Sequence, residues 1–409
     1  MADFGGDVEA FRAEARAWLE ENFPESLRGL GARGPQAIGG DREETADDDL
    51  WRQRMGETGW GVPTWPVEYG GGGLTQAEAV VLREEMNRIG AWNPIGGMGV
   101  MMFGPTLLEY GNEAQKKRHI PPIAKGELRW CQGFSEPGAG SDLAGLSTKA
   151  EDKGDHFLVN GQKIWTSGAH LADWCFCLVR TDQTRKHEGI SFLLIDMRTP
   201  GVDPRPIKLI SGASPFCETF FTDVKVPKEN LVGPLNGGWT IAKRLLQHER
   251  NGIGSGQATA RADPKTQLPN LAKQYVGVDE TGRIADADLR QRIINYEMDA
   301  KAFQQTLARA QAEARGSNRG PGATTSIIKN VGSFLRRDGA ELTMEIMGHQ
   351  GLGWEGEGFT AAELANTRLV CSSKAGGIAG GSQEVQWNII SRRILGLPDP
   401  NKENALAMR

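Results

Sequence analysis

The sequence of 409 residues predicts an α+β protein built in three parts: helical, then β, then helical again. Three observations carry that prediction. Apolar residues recur at helical spacing before residue 125. Short apolar runs broken by turn signals fill residues 128–232. Helical periodicity returns from Trp239 onward. The corresponding domains are 1–127, 128–236 and 237–409.

In the first part Val8, Phe11, Ala15, Trp18 and Leu19 lie three and four residues apart, and Pro24 follows as a stop. Residues 60–66 and 69–73, rich in Gly and Pro, cannot be helix interior and are connecting loop. Helix resumes over residues 75–89, 106–110 and 114–120. In the middle part Phe157-Leu158-Val159 and Lys163-Ile164-Trp165 flank Asn160-Gly161, which predicts a hairpin turn. Residues 174–179, 190–195 and 217–221 are candidate strands, and the pattern suggests a small β-barrel or sandwich. In the third part residues 241–248, 288–314, 324–347 and 384–395 are candidate helices. Pro264, Pro269, Gly277 and Gly282 predict that residues 261–283 are at least partly irregular.

Composition narrows the function. Lys and Arg number 47 against 52 Asp and Glu, a net charge of −5, so no basic footprint for nucleic acid is present. No apolar run approaches the roughly 18 residues a membrane span needs. The first residues show no secretory signal. The 5 cysteines form no Cys-x-x-Cys pair, which suits free thiols in a reducing cytoplasm. No His/Cys cluster has zinc-ligand spacing, so no metal site is expected. The 54 glycines are clustered rather than periodic, which points to tight turns and close backbone approach to a ligand.

Four clusters carry the chemistry. Residues 133–142, Gly-Phe-Ser-Glu-Pro-Gly-Ala-Gly-Ser-Asp, make a tight turn whose N–H groups, with Ser135 and Ser141, can face an anion or a ring carbonyl; an ordinary β-turn cluster is the bland alternative. Ile164-Trp165-Thr166-Ser167-Gly168 offers a flat apolar face beside two hydroxyls, unless Trp165 is simply a core residue. On the helix after Gly238, Glu249 follows Ile241 and Leu245 on the apolar face. Its neighbours at three and four residues are Leu245, Leu246, Gly252 and Ile253, none a cation. Such a carboxylate is either in a long-range ion pair or kept for proton transfer. Last, Gly376, Gly377, Gly380 and Gly381 precede a helix N-terminus, a natural site for an anion or carbonyl, or a flexible loop. No Gly-x-Gly-x-x-Gly follows a strand, so a Rossmann domain is disfavoured while a flavin is not.

Together, in this order, the four clusters resemble the acyl-CoA dehydrogenase family over almost the whole chain. Within it, residues 130–137, 173–177 and 248–253 are similar to the large subunit of pimeloyl-CoA dehydrogenase and to heteromeric enzymes that shorten steroid side chains. The resemblance implies a helical domain, a middle β-barrel and a C-terminal four-helix bundle, with FAD held between barrel and bundle. It implies α,β-dehydrogenation of an acyl-CoA thioester, a carboxylate taking the α-proton while the β-hydride moves to flavin N5. By matching positions, the Phe134 backbone and Ser135 bond the flavin ring, Trp165 packs on it, Ser167 serves the N5 side and Ser141 the pyrophosphate. Gln132, Gly140, Ser382 and Glu384 match further cofactor positions.

Two departures bear on mechanism and assembly. The late Glu of many family members is replaced here by Gly380, whereas Glu249 occupies the family's second location for the base. The Gly380 N–H can still polarise the thioester carbonyl, and the missing side chain leaves room for a bulky acyl group. The neighbour-facing motifs Arg-x-x-Phe-Gly and Gln-x-x-Gly-Gly are also missing. Residues 261–276 lack the first, and Glu345-Ile346-Met347-Gly348-His349 replaces the second. A carboxylate and an imidazole there oppose a diphosphate by charge and by bulk. The chain is therefore expected to pair with a homologous dehydrogenase subunit as α2β2 and to pass electrons to an electron-transferring flavoprotein. A self-sufficient homo-oligomer, a non-oxidative acyl-CoA lyase and a non-catalytic supporting subunit remain as alternatives.

Overall fold

The computed structural model describes residues 8–30, 44–256, 267–315 and 324–398, with the side chains of 249–256, 311, 314 and 315 outside that description. The chain divides into two compact units, Met1–Lys208 with Ser214–His248, and Leu209–Ala213 with Glu249–Arg409.

The first unit opens with α1 (Val8–Asn22), α2 (Ala46–Glu57), α3 (Gln76–Arg88), α4 (Gly104–Tyr110) and α5 (Glu113–Ala124). Local sequence explains the helix starts. Thr45, Thr75 and Asn112 each accept from the N–H three residues on, and Asp48, Glu78 and Gln115 answer to the cap backbone. Ala15 and Leu19 are the buried stripe of α1. The buried Glu85 of α3 ties the helices together, accepting from Arg12, Arg16 and Arg88. The Arg16 hydrogen bond is the largest influence; with Arg88 and Arg12 it outweighs burial and holds Glu85 at about 2.

The middle strands are β1 (Trp130–Gly133), β2 (Lys149–Asp152), β3 (His156–Ser167), β4 (Trp174–Arg180), β5 (Ile190–Asp196), β6 (Val202–Ile207), β7 (Phe216–Pro227) and β8 (Leu231–Val232). They form one mixed sheet in the order β6-β7-β3-β2-β4-β5-β8, with β1 parallel to β4. Every residue of β4 is buried because both faces are covered. Phe176 and Leu178 join Trp130, Phe134 and Phe192 in a core shared with the N-terminal helices. Cys175, Cys177 and Val179 join Phe157, Phe221 and Val226 in a second core on the other face. Parallel-type burial on both faces explains why this strand reads as a continuous apolar run.

The expected hairpin at Asn160-Gly161 is not a turn. Residues 156–167 form one strand, β3, and the dipeptide is an irregularity in its pairing with β7. The two residues do other work. The Asn160 side chain donates to Asp223 at 3.0 Å and accepts from the Asp223 N–H at 2.9 Å, clamping β3 to β7. A Cβ at Gly161 would lie 2.6 Å from the Thr148 hydroxyl, so glycine is required by close approach of the neighbouring chain.

From α6 (Gly238–Gly256) the chain passes into the second unit: α7 (Leu268–Tyr275), α8 (Ala287–Arg315), α9 (Thr324–Met347), α10 (Ala361–Ser373) and α11 (Gln383–Arg393). Helix α9 packs against α7, α8, α10 and α11. Leu342, Ile346 and Met347 bury with Leu268, Leu271 and Ile293. Of residues 261–283, expected to be partly irregular, 261–266 lie outside the described residues, 268–275 are helical, and Val278 bridges Ile284 across a turn. Helix α10 went unread in the sequence, although Thr360 and Glu363 form a capping box at its start. Among the described residues no helix is long and apolar enough to cross a membrane.

His119 of α5 is buried between the rings of Trp130 and Trp174, at centroid distances of 5.2 and 4.9 Å. Burial first, and then the charge of Arg118, push it down to about 4. A depressed histidine stabilises the fold above its ordinary value of 6.5 and loses that contribution as pH falls toward 4. Unfolding free energy of the first unit is expected to drop by on the order of 3 kcal/mol between pH 7 and pH 4 from this group. Denaturant melts of His119→Phe should lack that component.

Candidate active site

The residues singled out from the sequence fall into two sets, one on each unit. On the first unit they gather around the turn that leaves β1. The Phe134 ring is buried edge-on against Phe176 and Phe192. The Ser135 carbonyl accepts from the Ile164 N–H at 2.9 Å, and Glu136 and Ala139 exchange backbone bonds at 3.0 Å.

Behind this turn lies a pair that sequence reasoning missed. Lys163 is 0 % exposed and Glu136 6 %, and Nζ sits 2.8 Å from Oε1. Nζ also donates to the Phe134 carbonyl at 3.0 Å. Glu136 accepts from the Ser147 N–H at 2.7 Å, the Ser147 hydroxyl at 2.8 Å and the Thr148 N–H at 2.9 Å. Burial is the largest influence on this carboxyl and works against its charge. The Lys163 charge and hydrogen bond, with those from Thr148 and Ser147, reverse it and hold Glu136 at about 2. A buried pair so fully bonded survives; the same charge left alone does not.

Strand β3 ends with a second irregularity, between Lys163 and Thr166. One extra residue exchanges the two faces of a strand. Lys163 and Thr166 therefore both point inward, and Thr166 bonds the Cys217 carbonyl at 2.8 Å and the Thr219 hydroxyl at 2.6 Å. Trp165 is turned outward, 52 % exposed, with φ of 60°. A positive φ on so bulky a residue costs on the order of 1–3 kcal/mol and marks a position held for a purpose. Trp165 thus does not belong to the core; its ring meets only the edge of Phe216 at 6.0 Å among described aromatic residues.

Polar groups on the turn after β1 and at the end of β3 are unspent. Among the described residues, the hydroxyls of Ser135, Ser141 and Ser167 and the Ser135 N–H have no hydrogen-bond partner. Gly140 and Ser141 are exposed and Gln132 is half-buried. A Cβ at Gly138 or Gly140 would meet open space. Free donors on these segments, with an exposed flat ring at the end of β3, fit an aromatic cofactor that carries carbonyls and phosphates, such as FAD.

The second set lies on the glycine loop of the other unit. Gly380 and Gly381 have φ of 65° and 89°. Ser333 donates to the Gly376 carbonyl at 2.9 Å and Gln386 to the Gly380 carbonyl at 3.2 Å. With carbonyls so engaged, the Gly380 and Gly381 N–H groups donate to no described residue. Ser382 caps α11, its hydroxyl accepting from the Val385 N–H. Glu384 is exposed, and its carboxyl is lowered by the helix-start N–H first and then by Ser382, with Lys329 adding a smaller pull. Glu249 falls within α6, but its side chain lies outside the described residues. Ile241 and Leu245, eight and four residues before it, are buried, as the helical-face reading expects. Glu345, at a position expected to face a neighbour, is exposed and paired with Arg292 at 2.6 Å. His349 beside it is also exposed. No group of His, Cys, Asp and Glu among the described residues could hold a metal, and the cysteines are free.

Replacing Lys163 alone with Met should destabilise the fold by about 3–5 kcal/mol, since Glu136 is left buried and unpaired. Lys163→Met with Glu136→Gln should recover most of that loss. Urea melts of the three proteins measure it.

Family models for the acyl-CoA dehydrogenase N-terminal, middle and C-terminal domains match residues 6–127, 131–224 and 236–395. The acyl-CoA dehydrogenase IpdE1 of Mycobacterium tuberculosis is 37 % identical over 400 residues, covering 96 % of this chain and 98 % of the relative. Among solved structures, the "Tcur3481-Tcur3483 steroid ACAD" matches with a TM-score of 0.74 at 30 % identity, covering 96 % of this chain and 97 % of that one. The ChsE4-ChsE5 complex from Mycobacterium tuberculosis matches with a TM-score of 0.72 at 27 % identity, covering 98 % and 100 %.

Proposed function

This chain belongs to the acyl-CoA dehydrogenase family and is an oxidoreductase of that class; from that premise we propose that it holds FAD and converts an acyl-CoA thioester to the trans-2-enoyl-CoA. The observation that carries the reading is the irregularity between Lys163 and Thr166, which turns Trp165 outward beside unspent donors. When bound, the flavin supplies the hydride acceptor at N5.

Everything else falls to the chain's own residues. The Phe134 backbone and Ser135 bond the ring, Trp165 covers it, and Ser167 serves its N5 side. Ser141 serves the pyrophosphate, with Gln132, Gly140, Ser382 and Glu384 as further cofactor contacts. Glu249 takes the α-proton, a task suited to a carboxylate. The Gly380 N–H, free of any described acceptor, donates to the thioester carbonyl and so acidifies the α-carbon. The bare Gly380 supports an acyl group that is bulky, branched, dicarboxylic or a steroid side chain, in keeping with the steroid enzyme among the structural relatives. Reducing equivalents leave to an electron-transferring flavoprotein.

The partner is a homologous subunit in an α2β2 assembly within the cytoplasm. Exposed Glu345 and His349 stand where the family presents an amide and a glycine to a neighbour's diphosphate, and the two structural relatives above bear the names of two chains. Such a partner supplies the adenine-binding motifs this chain lacks.

Glu249→Gln should lower turnover roughly 10²–10⁴-fold while the flavin stays bound; turnover at the parent rate removes Glu249 as base. Native mass spectrometry of the chain co-expressed with a homologue that carries both missing motifs should give two copies of each. A tetramer of this chain alone that excludes the homologue contradicts the assembly.

A further inference from the structure

The Phe134–Ser135 peptide group is bonded asymmetrically. Its carbonyl accepts from the buried Lys163 ammonium at 3.0 Å. Its N–H, on Ser135, donates to no described residue. The two ends belong to one conjugated unit, so a cation on the oxygen draws electron density from the nitrogen and strengthens the N–H as a donor. The Lys163 ammonium makes no other hydrogen bond than those to Phe134 and Glu136 among the described residues. Glu136, in turn, is saturated by Ser147 and Thr148.

A pair that only held the turn in place needs no charge. The Phe134 ring is already locked in the core, and the Ser135 carbonyl is already bonded to the Ile164 N–H. Replacing a buried ion pair by neutral groups of similar volume is often neutral for stability. The charge has one outlet besides its partner: the peptide whose other end is free.

We propose that Lys163, ion-paired in the core with Glu136, is a positioning residue that polarises the Phe134–Ser135 peptide and thereby raises the reduction potential of a flavin bonded to the Ser135 N–H. This rests on the flavin-dependent reading above. A reduced flavin carries more electron density on its ring acceptors than the oxidised form, so a stronger donor favours the reduced form. The pair thus biases the ring toward accepting hydride without touching the substrate.

The test uses the flavin-loaded protein with its partner subunit. The midpoint potential is measured by dye equilibration for the parent and for Lys163→Met/Glu136→Gln, which leaves net charge unchanged. Thermal melts and flavin counts are taken on the same samples. The expected result is full flavin occupancy, a melt close to the parent's and a preference for reduced over oxidised flavin about tenfold weaker, which is about 30 mV more negative for a two-electron couple. Lys163→Gln/Glu136→Gln, which retains a neutral donor in the core, should fall between the two. Equal potentials at full occupancy overturn the proposal and leave the flavin-dependent reading intact. A loss of occupancy with no change in potential assigns the pair a structural role only and also overturns it. A parent protein that takes up no flavin removes the reading and the proposal with it.

Discussion

The buried ion pair of Lys163 and Glu136 is the interaction on which the first unit's functional surface depends. Two charges in a core are tolerated only when each is fully bonded, and here each is. Lys163 reaches both Glu136 and the Phe134 carbonyl, while Glu136 gathers the Ser147 and Thr148 donors. The pair therefore joins three segments distant in sequence: the turn after β1, the approach to β2 and the end of β3. Without it the turn would be fixed by its own short bridge, by the Ile164 N–H on the Ser135 carbonyl and by the Phe134 ring.

From that anchor the rest follows geometrically. Lys163 must point inward, and Thr166 also points inward to meet Cys217 and Thr219. An even number of residues between two inward positions is impossible in a regular strand, so β3 carries an extra residue there, and Trp165 is expelled to the surface. The glycine loop of the second unit obeys a similar logic. Ser333 and Gln386 engage its carbonyls, which leaves N–H groups at Gly380 and Gly381 without described acceptors. In each case side chains that satisfy carbonyls from behind leave donors in front, and donors are what an electron-rich ring or an enolising thioester requires.

Much of the fold was legible because its signals are local. Helix α9 runs over the residues its apolar spacing predicts, and β4 and β5 are continuous apolar runs because both of their faces are buried. Asn160-Gly161 misled because its turn chemistry is also the chemistry of close packing: Gly161 makes room for Thr148, and Asn160 bonds Asp223, a residue 63 positions away. Lys163 was passed over for a related reason. A lysine in a run of β-formers reads as solvent-facing until its partner is known, and Glu136 lies across a turn whose closure sequence does not reveal. Trp165 could be flagged as a candidate ring cover but not distinguished from a core residue, since its outward direction depends on an irregularity in pairing with β7. The loop residues Gly380 and Gly381 were legible as glycines with a purpose, yet Ser333 and Gln386, which fix their carbonyls, lie on two helices and carry no local mark.

The central claim is that the turn behind Ser135 and the outward indole of Trp165 together receive a flavin ring. The most direct measurement is an experimental structure of the flavin-loaded protein with its partner. The account predicts a ring acceptor within about 2.8–3.2 Å of the Ser135 nitrogen, the Trp165 indole against the ring, and Lys163 still bonded to the Phe134 carbonyl. A flavin bound elsewhere, with Ser135 and Trp165 facing solvent, would contradict it.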